Sequence, residues 1–161
     1  MSVIESTNEQ SFGVTLVDLL IIVVIIGTIA GIAIPVYFHQ IDEARKTKAI
    51  EDIRMLEKEI DLYRRWREDE GMSPVLPASL GDIGRHNFLD PWDNPYQYAS
   101  HELIPKGHQR KYYETVPLNE DYDLYSMGPD GETSRPIRSR AGREDIVRAD
   151  NGGYVGPGTE F

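Results

Sequence analysis

The sequence predicts an α+β fold in which one long N-terminal helix packs against a small antiparallel β-sheet with a C-terminal loop. Three features support this prediction. An apolar run occupies residues 14–34, an amphipathic pattern of helical period continues to about residue 70, and short alternating segments recur between Tyr96 and Ser126. A chain of 161 residues with one apolar span leaves room for one modest domain outside that span.

The apolar run has the length and composition of a transmembrane helix. Between Val14 and Ile34 it contains a single charged residue, Asp18, near its start. At about 1.5 Å per helical residue, about twenty residues cross the roughly 30 Å hydrocarbon core of a bilayer. A secretory signal peptide would have a basic start and a shorter apolar run. We therefore predict that residues 14–35 span a membrane and that Pro35 kinks or locally melts the helix.

The second half of the helix, residues 36–70, is predicted to be amphipathic and to end at Gly71. Apolar side chains recur there at mostly three- and four-residue steps and form one stripe. The stripe consists of Ile41, Ala44, Ala49, Ile53, Leu56, Ile60, Tyr63 and Trp66. We expect one face of the sheet to cover it, because a lone hairpin is only marginally stable in water.

The globular head is predicted to occupy residues 71–149, and the glycine-rich residues 150–161 are predicted to form a flexible tail. A short helical turn is expected at residues 79–83. Three segments are predicted to be strands because their side chains alternate and turn residues flank them. These segments are Tyr96–Ala99, Lys111–Glu114 and Asp121–Ser126.

Composition limits the functions that the chain can have. The net charge of −10 argues against a nucleic-acid-binding protein, because phosphate contacts need a basic surface. The absence of cysteine excludes disulfides and thiolate metal sites. Four histidines lack the spacing of metal ligands and are expected at the surface: His39, His86, His101 and His108. The sequence contains no catalytic constellation, so we predict that the protein is not an enzyme.

The residues around the start of the apolar run form a recognisable motif. Gly13 is followed by Val-Thr-Leu-Val-Asp at residues 14–18, which resembles the processing site of the type IV pilin and pseudopilin family. The resemblance implies that a prepilin peptidase removes a leader, residues 1–13, by cutting between Gly13 and Val14, and that the new amine is methylated. It also implies that Asp18 and Pro35 act in filament assembly. The Asp18 carboxylate would pair with the Val14 amine of a neighbouring subunit, so that neither charge stays alone in an apolar core.

Two residues of this motif differ from the usual family pattern. Family members usually have Phe or Met at the first mature position and Glu at the fifth, whereas this chain has Val14 and Asp18. Both replacements keep the chemical character of the position, so the resemblance holds.

A second motif, DPWDNPYQY at residues 90–98, is similar to the signature of the major pseudopilins of type II secretion systems. Asp-Pro and Asn-Pro initiate turns, which places a turn before the strand predicted at Tyr96. Asp93 replaces the glycine that is usual in the family. The turn therefore cannot rely on the free access to positive φ that glycine provides.

A third motif, YSMGPDG at residues 125–131, resembles the calcium-binding loop of major pseudopilins. The resemblance implies that Asp130 and Asp145 supply side-chain oxygens and that backbone oxygens near Met127 and Glu132 complete a calcium site. The family loop is glycine-rich, whereas this chain has four arginines between the acids: Arg135, Arg138, Arg140 and Arg143. Arginine can pair with carboxylates in the absence of a metal ion. A loop held by arginine, or a flexible loop, therefore remains the alternative to a calcium site.

Together the motifs imply a structural subunit of a pseudopilus that drives protein export through a type II secretion system. The expected partners are copies of the same chain as a homopolymer, other pseudopilins and inner-membrane components of the secretion machine. The expected location is the inner membrane, crossed once, with the head on the periplasmic side. Two alternatives remain, a type IV pilin for adhesion or motility and a single-pass membrane-anchored binding module.

The distribution of positive charge does not support this orientation. Arg45, Lys46 and Lys48 follow the span, and residues 1–13 contain no Lys or Arg. Counted alone, these charges favour the opposite orientation by the positive-inside rule. The expected orientation therefore rests on the processing motif.

Overall fold

The computed structural model describes residues 14–73 and 75–161. The described residues divide into two compact units, one on each side of the boundary between Ile41 and Asp42. The predicted leader, including Gly13, lies outside the described residues. The α+β class predicted from the sequence is confirmed, since one long helix precedes a four-stranded antiparallel sheet.

The helix, α1, runs from Leu16 to Asp69 and contains 54 residues. Its apolar first part is long and apolar enough to cross a membrane, and the side chains there are exposed within the unit. Pro35 lies inside α1, and the helix continues beyond it. The local melting considered for this position therefore does not occur.

Helix α1 ends close to the predicted glycine. Gly71 has a φ of +70°, and its N–H donates to the carbonyl oxygen of Glu68 at 3.0 Å. The N–H of Met72 reaches back to Arg67 at 2.9 Å. These bonds satisfy carbonyls that the end of a helix leaves without partners, and glycine supplies the left-handed conformation they require.

The sheet is an antiparallel meander in which the strand order follows the chain. Strand β1 is Gln97–Ser100, β2 is Tyr122–Ser126, β3 is Ile146–Ala149 and β4 is Tyr154–Pro157. Three short 3₁₀ helices lie between them or before them, at Leu80–Ile83, Lys106–His108 and Asp150–Gly152. Strands β1 and β2 and the turn at Leu80–Ile83 confirm the sequence predictions.

The strand predicted at Lys111–Glu114 is wrong. Lys111 makes only isolated bridges, to Pro117 and Pro136. The N–H of Leu118 donates to the carbonyl oxygen of Arg110, but the N–H of Arg110 donates to the side chain of Asp123 instead of returning the bond, so the pairing does not extend into a ladder. The chain instead turns back at once, with the N–H of Tyr112 donating to the carbonyl oxygen of Val116 at 2.8 Å.

The flexible tail predicted at residues 150–161 is also wrong. The tail contains β4, which pairs with β3 in a register that places Val147 opposite Gly156. Gly156 allows the Tyr154 ring to lie close to the backbone, since a Cβ there would be 2.6 Å from the Tyr154 hydroxyl oxygen. The last residue, Phe161, packs its ring 5.2 Å from that of Tyr154. Glycine in this segment therefore permits close packing, whereas the prediction treated it as a sign of flexibility.

The core lies between the sheet and the middle of α1. Ala49, Ile53, Leu56 and Ile60 of the predicted stripe are fully buried, whereas Ala44 and Trp66 near its ends are exposed. Five buried residues from the sheet and the chain before it complete this core: Leu80, Tyr96, Tyr122, Leu124 and Ile146. The expectation that the sheet covers the stripe is confirmed for its central part.

The opposite face of the sheet carries a second, smaller core. Leu118, Ile137, Val147 and Ala149 form it, with aromatic rings at its edge. Side chains alternate across a strand, so Ile146 enters the first core and Val147 the second. This second core explains why β3 is buried on both faces.

A buried arginine links α1 to the sheet. Arg148 of β3 has a side chain that is 4% exposed, and its Nε donates to Glu57 of α1 at 2.8 Å. Its two terminal nitrogens donate to the carboxylate of Asp121 at 2.7 and 2.8 Å. The guanidinium also lies 3.9 Å from the centre of the Tyr122 ring. The pair Glu57–Arg148 thus adds a charged contact to the apolar interface.

Candidate functional site

The first candidate site is the start of α1. Thr15 directly precedes the helix, and its N–H and hydroxyl both donate to Oδ2 of Asp18, at 2.9 and 2.7 Å. The N–H of Asp18 donates in return to the Thr15 hydroxyl at 3.2 Å. This reciprocal arrangement is a capping box, which satisfies N–H groups that have no partner inside the helix.

The capping box shows why an acidic residue is compatible with this position. A carboxylate near a helix N-terminus is favoured by the helix dipole as well as by its hydrogen bonds. Oδ1 of Asp18 accepts no hydrogen bond from any residue that the structure describes, so one carboxylate oxygen is left for an external donor. Thr15 is not among the predicted site residues, although the spacing Thr-x-x-Asp is the signal of this cap.

The second candidate site is the turn of the DPWDNPYQY motif. Oδ1 of Asp90 accepts from the N–H groups of Trp92 and Asn94 at 3.0 and 2.8 Å, which fixes the turn. Its other oxygen accepts from the hydroxyl of Ser126 at the end of β2. The side-chain amide of Asn94 donates to the carbonyl oxygen of Gly128 at 2.9 Å. The second motif therefore supports the third, and its acid has a structural role.

Asp93 has a left-handed backbone conformation. Its φ is +67°, so the turn retains a positive φ even though the residue is not glycine. Asp tolerates this region better than most residues, although it pays a steric penalty that glycine avoids. The turn therefore reaches its positive φ without the free access that glycine would provide.

The YSMGPDG loop also contains a position that requires glycine. Gly128 has a φ of +68°, and a Cβ there would overlap the carbonyl oxygen of Glu144. This close approach places the loop against the chain that leads into β3. The loop and Asp145 are therefore neighbours, as the resemblance implied.

The third candidate site is Asp145, the residue before β3. Its side chain is completely buried, and Oδ2 accepts from a terminal nitrogen of Arg110 and from the hydroxyl of Thr133, the latter at 2.8 Å. Burial raises the pKa of the Asp145 carboxyl, whereas the charge of Arg110 and the hydroxyl of Thr133 act in the opposite direction. The carboxylate is thus held by a guanidinium.

The other residues predicted to bind calcium are placed differently. Asp130 is exposed, and its Oδ1 accepts from the N–H of Glu132 at 3.1 Å. Glu132 is exposed and Met127 is half-buried. Within residues 14–73 and 75–161, no three carboxylate or imidazole groups are close enough together to hold a metal ion.

The donor set around Asp145 does not fit calcium, which takes six to eight oxygen ligands. Oδ2 is occupied by Arg110 and Thr133, while Oδ1 is buried and has no hydrogen-bond partner among the described residues. A divalent cation at Oδ1 would lie beside the guanidinium of Arg110, and like charges repel. The arrangement agrees better with the alternative of a loop held by arginine.

The arginine that holds the carboxylate is not one of the four in the loop. Arg135 donates to the carbonyl oxygen of Gly107 at 2.6 Å, and Arg138 donates to the Tyr112 hydroxyl at 2.6 Å. Arg140 and Arg143 are exposed. Arg110 is 35 residues away from Asp145, and no pattern in the sequence links the two.

One histidine departs from the expected surface position. The side chain of His101 is 5% exposed, and its Nε2 lies 3.1 Å from Oδ2 of Asp123. His39, His86 and His108 are exposed, as predicted. Asp123 also accepts the backbone N–H of Arg110 at 2.7 Å, so the contact belongs to the packing of the head.

Comparison with known proteins decides the family. Residues 36–140 match the family described as type II secretion system (T2SS), protein G. The chain belongs to this family. The matched residues include the DPWDNPYQY and YSMGPDG motifs, and the resemblance to G-type major pseudopilins that these motifs indicated is confirmed.

Relatives named type II secretion system core protein G extend the match beyond those residues. The protein of Aeromonas hydrophila is 30% identical over 140 residues, which cover 78% of this chain and 87% of the relative. The proteins of Escherichia coli and Pseudomonas aeruginosa are 29% and 28% identical, each over 142 residues. These matches cover 79% and 78% of this chain and 87% and 88% of the relatives. No solved structure matches the chain.

Proposed function

We propose that this chain is the major structural subunit of a type II secretion pseudopilus, a homopolymer that drives protein export. Membership of the protein G family is the observation that carries this proposal. The fold supports it, because the chain combines an exposed apolar helix with a separate packed head. The role is structural, and other components of the secretion system are the expected partners.

The apolar part of α1 needs an environment other than water. Large apolar side chains from Leu16 to Phe38 are exposed, and leaving so much apolar surface in water is unfavourable. A bilayer covers this surface in the unassembled subunit, and the helices of neighbouring copies cover it in the filament. The subunit is thus anchored in a membrane before it assembles.

The finer features of this proposal concern processing and orientation. A prepilin peptidase cuts between Gly13 and Val14, and the new amine is methylated. The helix crosses the inner membrane once, with the head on the periplasmic side. The motif at residues 13–18 supports cleavage at this bond, and the helix begins at Leu16, the third residue after it.

In the filament, we assign Asp18 to the contact between neighbouring subunits. The capping box uses only Oδ2, so Oδ1 is available to the Val14 amine of the next copy. Pairing the two charges removes the cost of burying either one alone. Pro35 leaves one carbonyl of the helix without its usual donor, which permits adjustment of α1 during assembly.

Deleting the gene tests the function as a whole. We expect the loss of specific exoproteins from the culture supernatant with surface motility intact. Lost motility with normal secretion would instead identify a type IV pilin. If neither changed, a membrane-anchored binding module would be favoured.

Three variants separate the two roles of Asp18. Asp18→Ala removes the carboxylate. Thr15→Val removes two of the three capping bonds but leaves the Asp18 carboxylate in place. Asp18→Glu keeps the negative charge. We expect Asp18→Ala to be inserted and cleaved normally but to form few filaments, whereas the other two assemble. Sheared filaments are quantified by immunoblotting, and the mass of the membrane-bound subunit reports cleavage. Equal loss with Thr15→Val would show that capping, not pairing between subunits, is the role of Asp18.

A further inference from the structure

We propose that the guanidinium of Arg110 takes the place of a calcium ion at Asp145, so that the head of this subunit is stable without calcium. The inference concerns the head alone and does not depend on the secretion role. It rests on the position of Arg110, its burial and the contacts of both of its terminal nitrogens.

Arg110 is held in place by its backbone. Its N–H donates to Oδ2 of Asp123 at 2.7 Å, and its carbonyl oxygen accepts from the N–H of Leu118 at 2.9 Å. Both partners are buried. The segment that carries the arginine is therefore fixed against β2, and the side chain starts from a defined point.

The positively charged guanidinium of Arg110 contacts Asp145 and Thr133. One terminal nitrogen donates to Asp145, the other donates to the hydroxyl of Thr133, and the side chain is 5% exposed. The guanidinium carbon lies 3.9 Å from the centre of the Tyr125 ring, an arrangement that stabilises a buried cation. One charge-balanced cluster thus contains Arg110, Asp145, Thr133 and Tyr125. Tyr125 is the first residue of the YSMGPDG motif.

Through the same contacts, Arg110 connects separate segments of the chain, which is the structural role of a bound metal ion. Thr133 belongs to the loop and Asp145 to the chain that enters β3, so Arg110 ties two segments together as a bound ion would. A buried carboxylate without a partner is strongly unfavourable, so the ionised form of Asp145 requires a positive charge beside it. Arg110 supplies that charge from within the chain, and its presence disfavours a second cation.

The test compares thermal unfolding of the full chain, purified in detergent micelles, in millimolar calcium and in chelator. For the wild type we expect the two midpoints to agree within about 1 °C. Arg110→Gln keeps a polar side chain, although a shorter one, removes its charge and offers a neutral oxygen. We expect this variant to unfold at a lower temperature in chelator and to recover by several degrees in calcium.

Two controls separate charge from packing. Arg110→Lys keeps the charge but loses the paired nitrogens, so it should be less stable than the wild type and still insensitive to calcium. Arg135→Gln removes an equal charge from the loop surface without touching Asp145, and should behave like the wild type. A calcium response in Arg135→Gln as well would show that net charge, not the Arg110 position, controls binding.

Two results overturn the proposal. A rise of several degrees in the wild type on adding calcium would show that the loop binds the ion beside Arg110. An absence of any calcium response in folded Arg110→Gln would show that the arginine does not occupy a cation position. If Arg110→Gln fails to fold, calorimetric titration of the wild type with calcium decides, because the proposal requires that no binding heat be detected.

Discussion

Replacing Arg148 with methionine tests how strongly the charged link between α1 and the sheet contributes to the head. Methionine replaces the unbranched stem of the side chain but removes the hydrogen bonds to Glu57 and to both oxygens of Asp121. Removing one partner of a buried ion pair costs about 3–5 kcal/mol. The side chain of Asp121 is 37% exposed, so water stabilises its charge in part, and we expect a loss of about 2–4 kcal/mol.

Arg54 provides a matched control on the same acid. Its terminal nitrogen donates to the other oxygen of Glu57 at 3.0 Å and to the carbonyl oxygen of Gly152 at 2.6 Å, but its side chain is 41% exposed. Because an exposed ion pair contributes little and one hydrogen bond about 1 kcal/mol, Arg54→Met should cost about 1–1.5 kcal/mol. The two variants thus remove a contact with the same carboxylate, one from a buried position and one from an exposed position.

The measurement is the unfolding midpoint of the full chain in detergent micelles, followed by tryptophan fluorescence. Replacing the exposed Trp66 with Phe leaves Trp92, which packs against the first core, as the only reporter. For a head of this size, a loss of 2–4 kcal/mol lowers the midpoint by about 8–16 °C. If Arg148→Met loses no more than Arg54→Met, apolar contacts alone hold α1 on the sheet and the reasoning about the buried link is wrong.

Two further predictions use the same melt. Asp93→Gly should raise stability by about 0.5–1 kcal/mol, because glycine adopts the φ of +67° without a steric penalty; a loss of stability would show that the Asp side chain stabilises the turn. Burial alone would raise the pKa of Asp121, but hydrogen bonds from Arg148 and from the Tyr122 N–H bring it below its ordinary value of 3.8. Because this folded-state pKa is lowered, the stability Asp121 contributes is present above about pH 4 and disappears as the pH falls through the lowered value. Melts between neutral and acidic pH should therefore show a smaller acid loss for Asp121→Asn than for the wild type, and parallel losses would refute the assignment.

The long helix and its buried face follow directly from periodicity. Ile53, Leu56 and Ile60 stand at helical spacing, and no distant residue is needed to predict that they share a face. Strand β3 escaped prediction because Arg148 interrupts its apolar character, and that arginine is acceptable only because Glu57 and Asp121 lie around it. Such compensation depends on tertiary contacts.

The candidate sites also divide into features that are local in sequence, which could be predicted, and contacts between distant residues, which could not. The processing and loop motifs were found because their residues are neighbours in sequence. The Thr15–Asp18 cap could also be predicted from sequence, because its two residues are close in the chain. The contact between Arg110 and Asp145 joins residues that are 35 positions apart. An arginine on a surface loop and an arginine buried against a carboxylate look alike in sequence, so only the fold distinguishes Arg110 from the others.

The two edges of the sheet bear on how copies of this chain meet. Strands β1 and β4 each have four residues, and β4 ends in Pro157, which has no N–H to offer a new strand. Short edges that contain proline are poor templates for edge-to-edge pairing. Backbone pairing between heads is therefore an inefficient route to aggregation, even at the high local concentration that a membrane imposes. Order in the polymer can then be determined by the helices, with the heads free to differ in sequence without joining edge to edge.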